Sequence, residues 1–231
     1  MLHLTQVDST NTYLKTRQHT LSHGTVVYAD TQTAGRGRYN RSWISQIGGL
    51  YFSVLLKPQF NSFLPNLTQL MALSICYALE ELGLKPTLKW PNDVQVNGQK
   101  ISGILSEAVF DKNTLQAVVL GVGINLHQEG LDDVGQPATS LARLGVHTER
   151  TMLLNRVLHF FWQEYPALGE KGFEVIRPAY TQRFGALGKE VCVKEAEQTI
   201  FGKAIGVSPR GTLLLQTAQG LKEIYIGDLK V

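Results

Sequence analysis

The sequence predicts an α/β protein of the α+β kind: an antiparallel sheet covered by helices, followed by a small all-β unit. Three observations carry that prediction. Residues 88–96 and 99–110 are β-like runs flanking Asn97-Gly98, a pair that accepts the positive φ angles of a tight hairpin. Residues 64–82 and 148–169 carry apolar side chains at three-to-four spacing, the signature of helices with one buried face. After Gly185 the texture changes to short β-like segments at 190–194, 199–207, 211–217 and 221–226, separated by polar or glycine-bearing turns. Four strands at that spacing favour a separate small barrel over a continuation of the main sheet.

Taken in order, Asp8-Ser9-Thr10-Asn11 is a cluster of N-cap residues, so a short helix should run from there to about His19, with free N–H groups at its start. Residues 24–30 (GTVVYAD) and 50–57 (LYFSVLLK) read as strands. In the first long helix Leu67, Leu70, Met71, Ile75, Ala78, Leu79 and Leu82 form the buried stripe and Gly83 the stop. Residues 111–113 mark a turn, and 115–126 (LQAVVLGVGINL) are apolar enough for a central strand. Within it, Gly121 and Gly123 permit close approach by a ligand or another chain segment. Leu153, Leu154, Val157, Leu158, Phe161 and Trp162 line one side of the second long helix, and 173–184 reads as a further helix.

Composition narrows the function classes. A chain of 231 residues can hold one good-sized domain, or a main domain of about 180 residues with a small appendage. Its formal charge of +3 is too mild for a dedicated nucleic-acid binder. Cys76 and Cys192 lack metal-ligand spacing and suit reduced thiols. The N-terminus has no signal-peptide pattern and no stretch approaches ~18 consecutive apolar residues, so a cytoplasmic, membrane-free protein is expected. His19 and His23 have i,i+4 spacing, but Ser22 and Gly24 break any helix between them. Neither a G-x-S-x-G elbow nor H-E-x-x-H occurs, which removes the usual hydrolase signatures.

The chemistry concentrates in residues 35–43, Gly-Arg-Gly-Arg-Tyr-Asn-Arg-Ser-Trp. Glycines let main-chain N–H groups reach a ligand, and guanidinium forks grip carboxylate or phosphate. Arg36, Arg38 and Arg41 would repel one another without a counter-charge, so the loop is expected to close on an anion. A second cluster, Lys89-Trp90-Pro91-Asn92-Asp93, precedes Lys100 and Gly103, and the hairpin should bring Asp93 beside Lys100.

GRGRYNRSW, KWPND, KISGIL and GVGIN, in this order and spacing, resemble the biotin protein ligases across essentially the whole chain. The resemblance implies a class II aminoacyl-tRNA-synthetase-like catalytic domain at 1–185 with a mostly antiparallel sheet, and a Src-homology-3-like barrel at 186–231. It implies activation of biotin by ATP with Mg²⁺ to biotinyl-5′-AMP, then transfer to a lysine of a biotin carboxyl carrier protein. Biotin contacts are implied for Ser9, Thr10, Asn11, Gln32, Gly35, Arg36, Gly37, Arg38 and Lys100, with Gly103 and Gly121 shaping the pocket. Arg38, Arg41, Trp43, Lys89, Asn92 and Asn125 are implied at the ATP or adenylate. Lys100 and Arg38 are the main catalytic candidates, and Asp93 either orients Lys100 or deprotonates the carrier lysine. Asn40 and Gln46 stand where the family commonly has glycine and proline, and Pro137 stands near the place of an adenine-covering tryptophan in some relatives. Asparagine tolerates a left-handed backbone. Some relatives add a DNA-reading helix-turn-helix; only seven residues precede Asp8, so a monofunctional form without a DNA partner is expected. A homodimer through edge strands is compatible with the family, and the rival readings are lipoate or octanoate ligation and a biotin-responsive regulatory binding protein.

Overall fold

The computed structural model describes residues 1–59, 63–195 and 198–230. Seven strands form the larger sheet: β1 (Leu2–Val7), β2 (Val26–Gln32), β3 (Leu50–Leu56), β4 (Pro86–Lys89), β5 (Asp93–Val96), β6 (Gln99–Asp111) and β7 (Thr114–Ile124). Their order is β1-β2-β3-β7-β6-β5-β4. All neighbours are antiparallel except β1 and β2, which run parallel from Leu2↔Val27 to Val7↔Gln32. Nothing in the residue pattern marks β1, because an edge strand with mostly exposed side chains has no apolar alternation to reveal it. The Asn97-Gly98 hairpin forms as expected, with φ of 52° and 75°.

Helices α1 (Thr10–Arg17), α2 (Asn66–Glu81), α3 (Arg150–Lys171) and α4 (Arg177–Arg183) pack around this sheet. The expected helix at 173–184 is split into a 3₁₀ turn at Gly172–Val175 and α4, with proline in the first turn of α4. Proline has no N–H to continue a preceding helix but suits the start of a new one.

Period-two alternation along β7 assigns the two sheet faces. Val118, Leu120, Val122 and Ile124 join Phe52, Val54 and Leu56 of β3 in the main core beneath α2 and α3. Ala117 and Val119 point the other way, into a small second core with Leu14 of α1, Val27 and Leu55. Continuing along that second face, the next two positions are Gly121 and Gly123. The apolar surface gives way to two positions without side chains, and the cavity lies there.

The C-terminal sheet comprises β8 (Glu190–Glu195), β9 (Gln198–Val207), β10 (Leu213–Thr217), β11 (Gly220–Ile224) and β12 (Asp228–Lys230), in the order β11-β10-β9-β8-β12. Four of these strands match the expected segments; the three-residue β12 is too short to leave a pattern. Val191, Val193, Ala204, Leu213 and Leu229 belong to the same continuous core as the large sheet's helix-covered face. Polar bonds reinforce that junction. Gln69 Nε2 and Trp90 Nε1 donate to the Gly211 carbonyl at 2.7 and 3.0 Å, and Asn66 Nδ2 donates to the Arg210 carbonyl at 2.9 Å. Gly211 has φ of +81°, and a Cβ there would stand 2.3 Å from Gln69 Oε1, so this turn requires glycine on both counts. Both cysteines are free. No helix among the described residues is long and apolar enough to cross a membrane.

Candidate active site

A cavity of about 1280 Å³ opens over β7 and β6 and extends to the β4–β5 turn and to β12. Its floor is defined by what replaces the missing glycine side chains. A Cβ on Gly121 would stand 2.2 Å from Asn11 Oδ1; one on Gly123 would stand 2.2 Å from the Trp43 indole; one on Gly103 would meet Trp43 at 2.9 Å and Lys100 at 3.0 Å. Gly123 pairs with Gly103 across the ladder, and Gly121 lies two residues along the same face. Two strand residues span about 7 Å. The site therefore has one neutral polar compartment around Asn11 and, one step along the strand, a cationic aromatic compartment around Lys100 and Trp43.

The neutral compartment is a buried hydrogen-bond chain. Ser53 Oγ lies 2.7 Å from Thr10 Oγ1 and 2.6 Å from Asn11 Oδ1, while Gln32 Oε1 accepts from the Thr10 backbone N–H at 2.9 Å. Gln32 thus satisfies one of the free N–H groups expected at the start of α1, and its Nε2 donates to Ser45 Oγ. Ser9, Thr10 and Asn11 are all buried.

In the cationic compartment the Lys100 ammonium is 2.7 Å from Asp93 Oδ1 and 5.2 Å from the Trp43 ring centroid. The hairpin expectation for Asp93 and Lys100 holds, helped by a register shift between Val94 and Gln95. The Trp43 indole N–H is buried with no partner among the described residues, a donor facing a cavity built to receive an acceptor. Asn92 Oδ1 accepts from Arg38 Nη1 at 3.1 Å while its Nδ2 donates to the Ile104 carbonyl, which makes Asn92 a bracket between the arginine loop and β6. Lys89 lines the cavity from the end of β4. Asn125 also lines it, but its amide is engaged by the Thr139 carbonyl and Gln128. It fastens the segment 137–139, whose backbone bonds to Lys100 on both sides through Pro137 O and Thr139 N–H.

The arginine loop corrects the sequence reading in three ways. First, its charges are not left for a ligand alone to neutralise. Asp228 of β12 takes Arg41 at 2.5 Å and stands 3.4 Å from Arg38, and Glu107 of β6 stands 3.7 Å from Arg36. Second, several of the loop's N–H groups are spent within it: Gly37 N–H donates to Arg41 O, Arg41 N–H to Arg38 O and Trp43 N–H to Gly35 O. Third, the left-handed residue is Tyr39, with φ of 55°, and not a glycine. Gly35 does not line the cavity, unlike every other expected site residue; a Cβ there would stand 2.5 Å from Ser45 Oγ, so its smallness serves packing inside the loop.

Ser53, Glu107 and Asp228 join the site without having been expected from sequence. Ser53 alone carries a signal, as the one small hydroxyl residue in the apolar run LYFSVLL. Of the His19–His23 pair, His23 Nδ1 accepts the Lys57 N–H, and its ring packs against Trp162 and Tyr165. Among the described residues no group of three His, Cys, Asp or Glu side chains could hold a metal ion.

Two family models match this chain: the biotin/lipoate A/B protein ligase family over residues 4–125 and the biotin protein ligase C-terminal domain over 186–229. A biotin protein ligase of Aquifex aeolicus, solved with biotin and ATP, superposes with a TM-score of 0.89 at 38% identity, covering 99% of this chain and 97% of that one. The biotin–[acetyl-CoA-carboxylase] ligase of Paracoccus denitrificans is 29% identical over 98% of both chains. The bifunctional ligase/repressor BirA of Bacillus subtilis is 35% identical over 90% of this chain, which spans 66% of that relative's length. With the glycine-floored cavity, the arginine loop and both family models in register along one chain, the protein belongs to the biotin/lipoate A/B protein ligase family, among its biotin protein ligases.

Proposed function

We propose that the cavity activates biotin with ATP and passes the biotinyl group to a lysine of a biotin carboxyl carrier domain. The observation that carries this reading is the pair of compartments about 7 Å apart on one strand face. A neutral ureido ring fits the Thr10–Asn11–Gln32–Ser53 chain, and a carboxylate tail then falls beside Lys100 and the arginine loop. In the first step a biotin carboxylate oxygen bonds to the α-phosphorus of ATP while the bond to the β-bridging oxygen breaks, releasing pyrophosphate. Two anions are forced together, and Lys100 and Arg38 offset that charge in place. In the second step the neutral amine of the carrier lysine adds to the acyl carbon, AMP leaves and the amine loses its proton. Asp93, held at 2.7 Å from Lys100, acts by orienting that cation.

Ser9, Thr10, Asn11, Gln32 and Gly121 serve the biotin ring, with Arg36 and Gly37 closing over the tail. Arg38, Arg41, Trp43, Lys89 and Asn92 serve the adenylate; Asn125 acts through the 137–139 segment. Leu131, Val134 and Pro137 give an apolar wall for adenine. Magnesium enters as the ATP complex, since the described residues form no carboxylate cage for it and Mg²⁺ is commonly held by substrate phosphates. We take 1–185 as the ligase unit and 186–231 as an accessory β unit, in a cytoplasmic enzyme without a DNA or membrane partner, a reading supported by the mild formal charge of +3. β1 and β4 are the sheet edges through which a homodimer would pair.

The test is pyrophosphate–ATP exchange with biotin, lipoate and octanoate offered separately. Biotin-dependent exchange supports the reading; exchange with lipoate or octanoate alone overturns it.

A further inference from the structure

Among the described residues, three that carry a Cβ take a positive φ: Asn97 and Lys112 in hairpin turns, and Tyr39 in the arginine loop. Tyr39, at φ 55° and ψ 38°, is the aromatic one, in a left-handed region that costs an L residue free energy and glycine almost none. The residue is 56% exposed, so no core packing demands a ring there. Nor does it line the cavity, although Gly37, Arg38 and Arg41 around it do. Strain kept at a solvent-facing position beside a binding site calls for a role that the side chain performs.

The neighbours of that side chain are two cations. The Tyr39 ring centroid lies 4.9 Å from Arg38 Cζ and 5.7 Å from Arg41 Cζ, and the Tyr39 hydroxyl accepts from Arg38 Nη2 at 3.0 Å. Both guanidinium groups also converge on Asp228, at 3.4 Å for Arg38 and 2.5 Å for Arg41. Two positive charges thus share one carboxylate, and the electron-rich ring is the second group that attracts them both. Arg38 has two further partners: the Gly227 carbonyl accepts from Nη2 at 3.1 Å and Asn92 Oδ1 from Nη1 at 3.1 Å. All of these come from segments far along the chain; Tyr39 alone belongs to the loop itself. The Nε–H of Arg38 makes no hydrogen bond among the described residues, so that donor and the charge are what Arg38 keeps for a ligand.

We propose that Tyr39 is a positioning residue for the nucleotide: from outside the cavity it backs Arg38 and Arg41, and so keeps both guanidinium groups where the phosphates of ATP and of the adenylate meet them. The left-handed backbone brings the ring to that place, which is why a residue other than glycine is retained there. This rests on the ligase reading given above. Tyr39 touches neither substrate.

Tyr39→Gly supplies the residue that this backbone favours while removing ring and hydroxyl together; Tyr39→Phe removes the hydroxyl alone. Both are compared with the wild type by pyrophosphate–ATP exchange, by release of preformed biotinyl-5′-AMP from the purified complex, and by melting temperature. Tyr39→Gly should melt within about 2 °C of the wild type or above it, since strain is relieved. Its ATP KM and its adenylate release rate should each rise about fivefold or more, the scale of one hydrogen bond and one exposed cation–π contact. The biotin KM should stay within about twofold, because the Thr10–Asn11–Gln32–Ser53 chain is untouched. Tyr39→Phe, with its ring kept, should lie closer to the wild type than Tyr39→Gly does. A protein no less stable that holds its nucleotide less well is a combination that a purely structural role does not produce. An unchanged ATP KM and release rate in Tyr39→Gly overturns the proposal, and so does a fall in melting temperature with equal rises in both KM values. A Tyr39→Phe variant no better than Tyr39→Gly overturns the part given to the ring. Absence of biotin-dependent exchange in the wild type would instead sink the biotin reading itself, and this proposal with it.

Discussion

Replacing Lys100 with methionine separates what its charge does for the fold from what it does for the reaction. Methionine keeps the aliphatic stem that rests against Gly103 and the Trp43 ring, and removes only the ammonium. At 2.7 Å from Asp93, the gross attraction at an effective dielectric of ~20 is about 6 kcal/mol. Most of that is offset by the desolvation of two groups that are only 15% and 13% exposed. The measurable loss of stability should be about 1–3 kcal/mol, the penalty of leaving Asp93 without its partner, and the melting temperature should fall by roughly 2–4 °C for each of those kcal/mol. Exchange of pyrophosphate should fall further, by about 10²–10³, because the cation is held where charge builds up. Asp93→Asn added to Lys100→Met removes the stranded carboxylate. The double variant should melt near the wild-type temperature while exchange stays low. If exchange returns together with the melting temperature, Lys100 is a structural cation and its role in adenylation is refuted.

Gly123→Ala places a methyl group 2.2 Å from the Trp43 indole, so the ring must leave its seat; biotin and ATP affinities should both fall at least tenfold by calorimetry, with the helix-covered core intact by circular dichroism. Arg38→Ala removes a charge-assisted partner from the phosphate, and the purified complex should release preformed biotinyl-5′-AMP roughly tenfold faster; an unchanged release rate assigns the phosphate contact elsewhere. Glu107 titrates below its ordinary 4.5 in the folded chain. Its contribution to stability is therefore complete above the unfolded value and is lost as pH falls through the lower folded value. Denaturant unfolding of Glu107→Gln should accordingly depend less steeply on pH below about 4.5 than that of the wild type.

Much of the architecture was legible because local chemistry and tertiary role agree. Asn97-Gly98 could form only a tight turn, and the stripe from Leu67 to Leu79 only a buried helix face. The site was legible where a motif is contiguous, as at 35–43 and 89–93. What stayed hidden were side chains acting across long separations: Asp228 meets Arg41 from 187 positions away, and Glu107 meets Asn11 from 96. An isolated carboxylate on a strand has no periodicity that announces a partner. Gly35 shows that sequence tells that a residue is small, not what presses on it. Tyr39 shows the opposite limit, since nothing in its side chain marks the left-handed backbone that the loop imposes on it.

The arginine loop and the strand that balances its charge also lie far apart in the order of synthesis. Residues 36–41 leave the ribosome long before Asp228 is made, so Arg38 and Arg41 face solvent ions until β12 arrives to pair with them. During that interval the loop lacks the carbonyl of Gly227 and the carboxylate of Asp228, the two C-terminal groups that hold Arg38 and Arg41 in the finished protein. A nascent chain with its large sheet already assembled would thus carry the arginine loop without the clasp that fixes its shape. The finished shape of the loop is acquired only once β12 has been made and has docked.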